Sequence, residues 1–366
     1  MKRKHRLLIG GLVSAALMSA IAGCGTTTTT SASSSSGSGQ QNNQISSVLN
    51  FANWSDYLPH SLLTKFEKEY HVKINYTTYD SNAELLTKMQ AGEKFDLIVP
   101  SDYMVQTMLR LGLLDKLDFK YIPNIKNIYP GFRHLAYDPN GEYYVPYLWG
   151  VTTIAVNTKK VHTKVTTYSD LLNPVFKNQL IAYDSPRTLV GMALIMNGHN
   201  INDTNPADLA QAKATLMKFR PQIKIFNSAD QHTSLLNGEA IAGIVLSGEG
   251  AQAYSQDPWI LPVFPKIGLN KWVDNMCIPA GAPHKYTAEL FINFMLNPQN
   301  SAALENDQQY SDPNKAAIPY IQKSLESNPW INLPQWVINQ GEVQVGLTGQ
   351  QNTEFNNIYT AFKQGT

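Results

Sequence analysis

From Val48 onward, strand-like runs take turns with segments of helical spacing, and this alternation constrains the fold more than any other feature of the chain. Val48-Leu49-Asn50-Phe51 reads as a strand. Pro59 to Tyr70 places Leu62, Leu63, Phe66 and Tyr70 on one helical face, with proline near the first turn. Val72 to Tyr76 alternates like a strand, and Ser81-Asn82-Ala83-Glu84 is a capping box opening a helix that Gly92 closes. Phe95 to Val99 is a strand and Tyr103 to Leu111 a helix. A βαβ series of this kind demands a parallel or mixed sheet with helices on both faces.

Asp115 to Pro146 is less regular, and then Gly150 to Asn157 reads as a β-branched strand. A second series follows. Strands are expected at Gln179–Tyr183, Ile223–Phe226, Ala240–Leu246 and Trp272–Ile278. Helices are expected near Leu189–Met196, Asn205–Phe219 and Asp230–Asn237, after Gly248, and over Tyr286–Leu296, the last ended by Asn297-Pro298. The tail beyond Pro319 reads as mostly helical. Two α/β series joined by strands near Val151–Asn157 and Trp272–Ile278 imply two lobes, hinged at those crossings, with a ligand cleft between them.

The tripeptide Ser-Asp-Tyr occurs twice, each time just after a strand: Ser55-Asp56-Tyr57, preceded by Asn53-Trp54, and Ser101-Asp102-Tyr103. Loops leaving the carboxyl ends of strands gather at one crevice of an open α/β sheet. A carboxylate with hydroxyls and aromatic faces at that place suits an organic cation.

The chain begins with the basic run Met1-Lys2-Arg3-Lys4-His5-Arg6 and an apolar stretch from Leu7 to Ala22, short for a membrane span. This is read as a signal segment, residues 1–23. Ile21-Ala22-Gly23-Cys24 resembles the bacterial lipobox, which implies lipidation at Cys24 and attachment to a membrane through it. Residues 24–47 are rich in Thr, Ser, Gly, Gln and Asn, cannot bury a core, and are expected to form a flexible tether. The second of the two cysteines, Cys277, lies in an apolar run, so no internal disulfide is expected and core burial alone must stabilise the fold. Lys plus Arg number 29 against 28 Asp plus Glu, with no basic block beyond the N-terminus, which argues against nucleic-acid binding.

No catalytic constellation stands out. The eight histidines are scattered, there is no His-Glu-x-x-His, zinc-type cysteine spacing, Walker A or Gly-x-Gly-x-x-Gly, and Ser247-Gly248-Glu249-Gly250 is not a nucleophile elbow. The expectation is no enzyme, no cofactor and no metal, Tyr143-Tyr144 being the nearest approach to a metal-binding pair. A ligand-sensing co-receptor, or an enzyme built on a binding fold, stays open on the residues alone.

Asn53-Trp54-Ser55-Asp56-Tyr57, Val99-Pro100-Ser101, Pro146-Tyr147-Leu148-Trp149-Gly150, Trp272-Val273-Asp274, and Tyr310 with Pro313-Asn314 fall in order along the chain. As a set they resemble the spermidine/putrescine-binding proteins of bacterial ABC importers, over about Val48 to Gly365. The resemblance implies an α/β, two-lobed type II periplasmic-binding-protein fold, with two mixed sheets flanked by helices. The first lobe would comprise residues 48–151 and 273–320, and the second 152–272 and 321–366. It implies a monomer on the extracytoplasmic face of the bacterial cell membrane that closes on a polyamine and delivers it to an ABC permease.

It further implies a site. Trp54, Ser55, Asp56 and Tyr57 would line the first-lobe wall beside Ser101 and Tyr103. Trp272 would stack on the methylene chain, Asp274 would pair with an amine, Tyr310 would add a ring and Gln344 an amide. Asp184 and Glu249 would face them from the second lobe. The sequence departs from the family at Thr188, where a glutamate is usual, at Ser185, where some members have an aspartate, and at Leu246, where an aromatic residue is common.

Overall fold

The computed structural model describes residues 44–366. The expected signal segment, Cys24 and the tether up to residue 43 lie outside the described residues. Among those described, eleven strands form one hydrogen-bonded sheet. They are β1 (Val48–Trp54), β2 (Lys73–Tyr79), β3 (Leu97–Ile98), β4 (Leu114–Asp115), β5 (Tyr144–Asn157), β6 (Leu180–Tyr183), β7 (Ile223–Asn227), β8 (Ala242–Leu246), β9 (Ile260–Val263), β10 (Leu269–Pro279) and β11 (Gly341–Val343).

The order β2-β1-β3-β10-β5-β8-β6-β7 holds two parallel groups, β2-β1-β3 and β8-β6-β7, joined by the antiparallel pair β10 and β5. Each group has its own core. Leu49, Phe51, Phe66 and Phe291 pack on the first, and Ile154, Leu180, Leu216 and Phe362 on the second. The two mixed sheets that the resemblance implies are therefore continuous through two long strands. All fourteen residues of β5 are buried, as a strand covered on both faces requires.

Several elements differ in extent from the sequence expectation. β5 begins at Tyr144, upstream of the expected Gly150, because β10 pairs with it back to Tyr144 and tolerates Pro146 at a register shift. Ser81 caps its helix by accepting from Glu84 N at 3.1 Å, but Glu84 Oε2 accepts from Asp80 N at 3.0 Å, so only half of the capping box forms. Pro298 ends one helix and opens another, Pro298–Gln308, with Asn297 accepting from Gln299 N. The tail holds the helices Lys323–Glu326, Gln335–Gln340 and Gly349–Gln364 with irregular segments between them, and β11, which pairs in parallel with the start of β10. No helix among the described residues is long and apolar enough to cross a membrane.

Candidate functional site

The carboxyl ends of β1, β3, β6 and β8 converge on a cavity of about 400 Å³ between the two groups of strands, a size typical of small-molecule sites. Every residue that the sequence placed in the site lines this cavity: Trp54, Ser55, Asp56, Tyr57, Ser101, Tyr103, Asp184, Glu249, Trp272, Asp274, Tyr310 and Gln344.

Asp274 owes its position to an irregularity in β10. Val273 pairs with Trp149 and Asn275 with Pro146, so Tyr147 and Leu148 of β5 stand opposite Asp274 alone. A bulge re-aims the side chain beside it. Asp274 forms a single bridge to Ser101, and Asn275 N donates to Pro100 O at 2.9 Å, which ties β10 to the end of β3. Asp274 is 6% exposed. Burial pushes its pKa up to about 6 against the opposing hydrogen bonds from Ser101 and Tyr57.

The two Ser-Asp-Tyr copies contribute different members to this group. Tyr57 Oη of the first donates to Asp274 Oδ2 at 2.9 Å, and Ser101 Oγ of the second donates to Asp274 Oδ1 at 2.6 Å. The remaining members serve the frame. Ser55 Oγ donates to Asp80 at 2.7 Å, Asp56 is exposed at the rim with φ +49°, and Asp102 accepts from Tyr103 N at 2.7 Å and Val273 N at 3.3 Å. Tyr103 Oη accepts from Asn82 Nδ2, which also reaches Ser101 Oγ, while Asn82 Oδ1 accepts from Ser101 N. Asn82, read from sequence only as part of a helix start, is the organiser of the second loop.

Aromatic rings surround the carboxylate. Tyr310 packs edge-on against both Trp272 and Tyr57, with centroids 5.4 and 5.5 Å apart. Trp54 is pinned by its Nε1–H to Val99 O at 2.9 Å and tilts against Tyr79. Tyr147 and Trp149 stand behind the wall: Tyr147 Oη donates to Tyr57 O at 2.7 Å, and Trp149 packs on Phe132.

The second-lobe wall is chemically different. Glu249, at the start of the helix Ser247–Gln256, is buried, and its Oε2 accepts from Gln231 N at 2.7 Å and His232 N at 3.0 Å and lies 2.9 Å from His232 Nδ1. The glutamate raises the pKa of His232 chiefly through that side-chain hydrogen bond. Asp230, His232 and Glu249 lie close enough to share a cation, but the Glu249 oxygen nearest them already holds two backbone N–H groups. Asp184 is held by Tyr359 Oη and by Lys363 Nζ at 2.9 Å, both from the C-terminal helix Gly349–Gln364. Ser185 caps the helix Pro186–Met196, which brings Arg187 and Thr188 to the cleft. Arg187 stacks over Phe355 at 4.8 Å and donates to Val345 O and Asn202 Oδ1. Burial lowers its pKa to about 10 and raises that of Asp102, within its electrostatic reach, to about 8. Arg187 carries no sequence signal of a role, and Asp102 only that of the second Ser-Asp-Tyr copy, whose carboxylate serves the frame instead.

The family model for bacterial extracellular solute-binding proteins matches residues 61–334. A spermidine/putrescine-binding periplasmic protein of Escherichia coli is 32% identical over 87% of this chain and 92% of its own length. Among solved structures, the TpPotD lipoprotein of Treponema pallidum superposes with TM-score 0.78 at 30% identity, over 87% of this chain and 99% of that one. The spermidine/putrescine ABC transporter substrate-binding protein PotD of Streptococcus pneumoniae gives TM-score 0.76 at 29% identity, over 87% and 99%. These solved structures are two-lobed binding proteins, and the chain shares their architecture.

Proposed function

The chain belongs to the bacterial extracellular solute-binding proteins, and on that premise we propose that it captures a linear amine of the polyamine class between its lobes and delivers it to an ABC permease. The observation that carries this reading is Asp274. It is a buried carboxylate ringed by Tyr57, Trp272 and Tyr310, and its side-chain hydrogen bonds among the described residues come from two neutral hydroxyls. A buried carboxylate without a cation is costly, and an ammonium supplies the missing charge. The aromatic faces add cation–π attraction and cover the methylene chain.

The lobes in this proposal are residues 48–151 with 273–320, and 152–272 with 321–366, hinged where β5 and β10 cross. Binding favours the closed arrangement by the difference in affinity between the two states. The protein acts as a monomer tethered through lipidated Cys24, a reading that rests on the sequence Ile21-Ala22-Gly23-Cys24. The named relatives are substrate-binding transport proteins, which supports a carrier over an enzyme.

The test is calorimetric titration of purified protein, stripped of carried-over ligand by unfolding and refolding, with linear amines both free and N-acylated. One-to-one binding of any of them tighter than about 1 mM, roughly −4 kcal/mol, supports the reading. Absence of binding by all overturns it.

A further inference from the structure

The cleft carries charges and donors that a free polyamine matches poorly. Of its carboxylates, Glu249 is held at Oε2 by two backbone N–H groups and His232, with the Tyr310 hydroxyl 3.5 Å from Oε1, and Asp184 by Lys363 and Tyr359. Asp102 accepts from the backbone of Tyr103 and Val273. Asp56 and Asp80 are exposed, Asp80 accepting from Ser55 Oγ. Asp274 is left as the one buried carboxylate of the lining whose partners are only neutral hydroxyls.

The opposite wall carries Arg187, the one Lys or Arg side chain lining the cavity, beside the already engaged Asp184 and Glu249. Arg187 is 5% exposed and adjoins Thr188, and a second ammonium arriving there would meet a buried guanidinium and a neutral hydroxyl. Like charges at close range in a partly dry cleft repel strongly. The hydrogen-bond inventory points the same way. Arg187 Nε and Nη1, Trp272 Nε1 and Gln344 Nε2 are buried donors of the lining without a protein acceptor, against one such acceptor, Asn270 Oδ1. With the Gln344 amide turned over, three donors still lack partners. An ammonium chain offers only N–H donors, so it leaves these donors of Arg187, Trp272 and Gln344 unpartnered.

We propose that the ligand of this cleft is a linear amine with one ammonium, seated at Asp274, and a neutral acyl oxygen toward the Arg187 wall: a monoacylated diamine or polyamine. The inference rests on the reading of Asp274 as an amine site and narrows its substrate class. One charge matches the one buried carboxylate held only by neutral hydroxyls, and the acyl oxygen brings an acceptor to the unpartnered donors of the lining. Recognition of an acceptor by buried donors also discriminates sharply, because an analogue without it leaves those donors unpaired.

The experiment is titration of the ligand-stripped protein with N-acetylputrescine, putrescine, spermidine and 4-aminobutyrate, repeated on Thr188→Glu. The expected result is that N-acetylputrescine binds at least tenfold tighter than putrescine or spermidine. Thr188→Glu, which returns a carboxylate to the wall, is expected to narrow or reverse that ratio. Tighter binding of putrescine or spermidine to the unaltered protein overturns the inference and leaves the amine-carrier reading standing. Tightest binding of 4-aminobutyrate overturns the neutral acyl end in favour of a carboxylate. No binding by any of the four removes the inference together with the reading beneath it. The ranking is read on the unaltered protein, so it stands even if the variant fails to fold.

Discussion

The Tyr57 hydroxyl donates to Asp274 Oδ2 across 2.9 Å, joining side chains 217 positions apart in the chain. Burial holds the Tyr57 pKa well above the usual phenol range, so the group remains a donor. Ser101 Oγ occupies the other carboxylate oxygen at 2.6 Å. A carboxylate has about four acceptor directions, so two donors fix its orientation and leave room for a ligand. Tyr57→Phe keeps the ring and removes one donor. It is expected to weaken amine binding by roughly 1.5–3 kcal/mol, the scale of a hydrogen bond to a charged group. Titration of the variant checks this, and unchanged affinity would detach Tyr57 from the site.

Acidity acts in opposite senses on folding and on binding. The folded-state pKa of Asp274 is about 6, and those of Asp102 and Glu305 are about 8, all raised mainly by burial. These exceed the unfolded values near ~4. The folded state therefore holds more protons than the unfolded chain across about pH 4 to 8, and stability of the ligand-free protein falls as pH rises through that window. Ammonium binding needs Asp274 ionised and weakens below about pH 6. Thermal unfolding and titration at pH 5 and pH 8 should give the higher ligand-free midpoint at pH 5 and the tighter binding at pH 8.

Gly248 lets the start of the helix Ser247–Gln256 approach Tyr310. A Cβ there would come within 2.3 Å of the Tyr310 ring, closer than any real contact. Tyr310 Oη also reaches Glu249 Oε1 at 3.5 Å, so the same ring spans the cleft. Gly248→Ala is expected to weaken ligand affinity tenfold or more while the thermal midpoint of the ligand-free protein changes little, because parted lobes leave the methyl unopposed. A variant that unfolds readily and binds normally would place the contact in the folding core instead.

Trp330 anchors the returning chain. It is 1% exposed, donates Nε1–H to Ile260 O at 3.0 Å and lies over Gly250. Trp330→Ala removes a large buried ring and is expected to cost about 3–5 kcal/mol of stability, measured by denaturant unfolding.

The alternation of strand and helix patterns made both parallel groups legible, because each strand carries its apolar run and each crossover helix its own face. The first-lobe wall was legible too: Trp54, Tyr57 and Ser101 stand at strand ends, where the chain must leave the sheet. What escaped depends on contacts distant in sequence. The three-residue β11 exists through its pairing with β10, and it delivers Gln344 to the cleft. The engagement of Asp184 requires Lys363, 179 positions away. Glu249 has no local mark of its bonds to Gln231 and His232. The bulge at Asp274 is invisible in a strand that reads as regular.

Comparison of the unaltered protein with Asp274→Asn, both stripped of ligand and titrated at pH 7.5 with N-acetylputrescine, putrescine and spermidine, tests the central claim most directly. The account predicts one-to-one binding of at least one of these amines to the unaltered protein, and a loss of roughly 2 kcal/mol or more in the variant, the scale of a buried charge pair deprived of one member. Equal affinity in the two proteins would contradict it, and the amine would then be held elsewhere in the cleft.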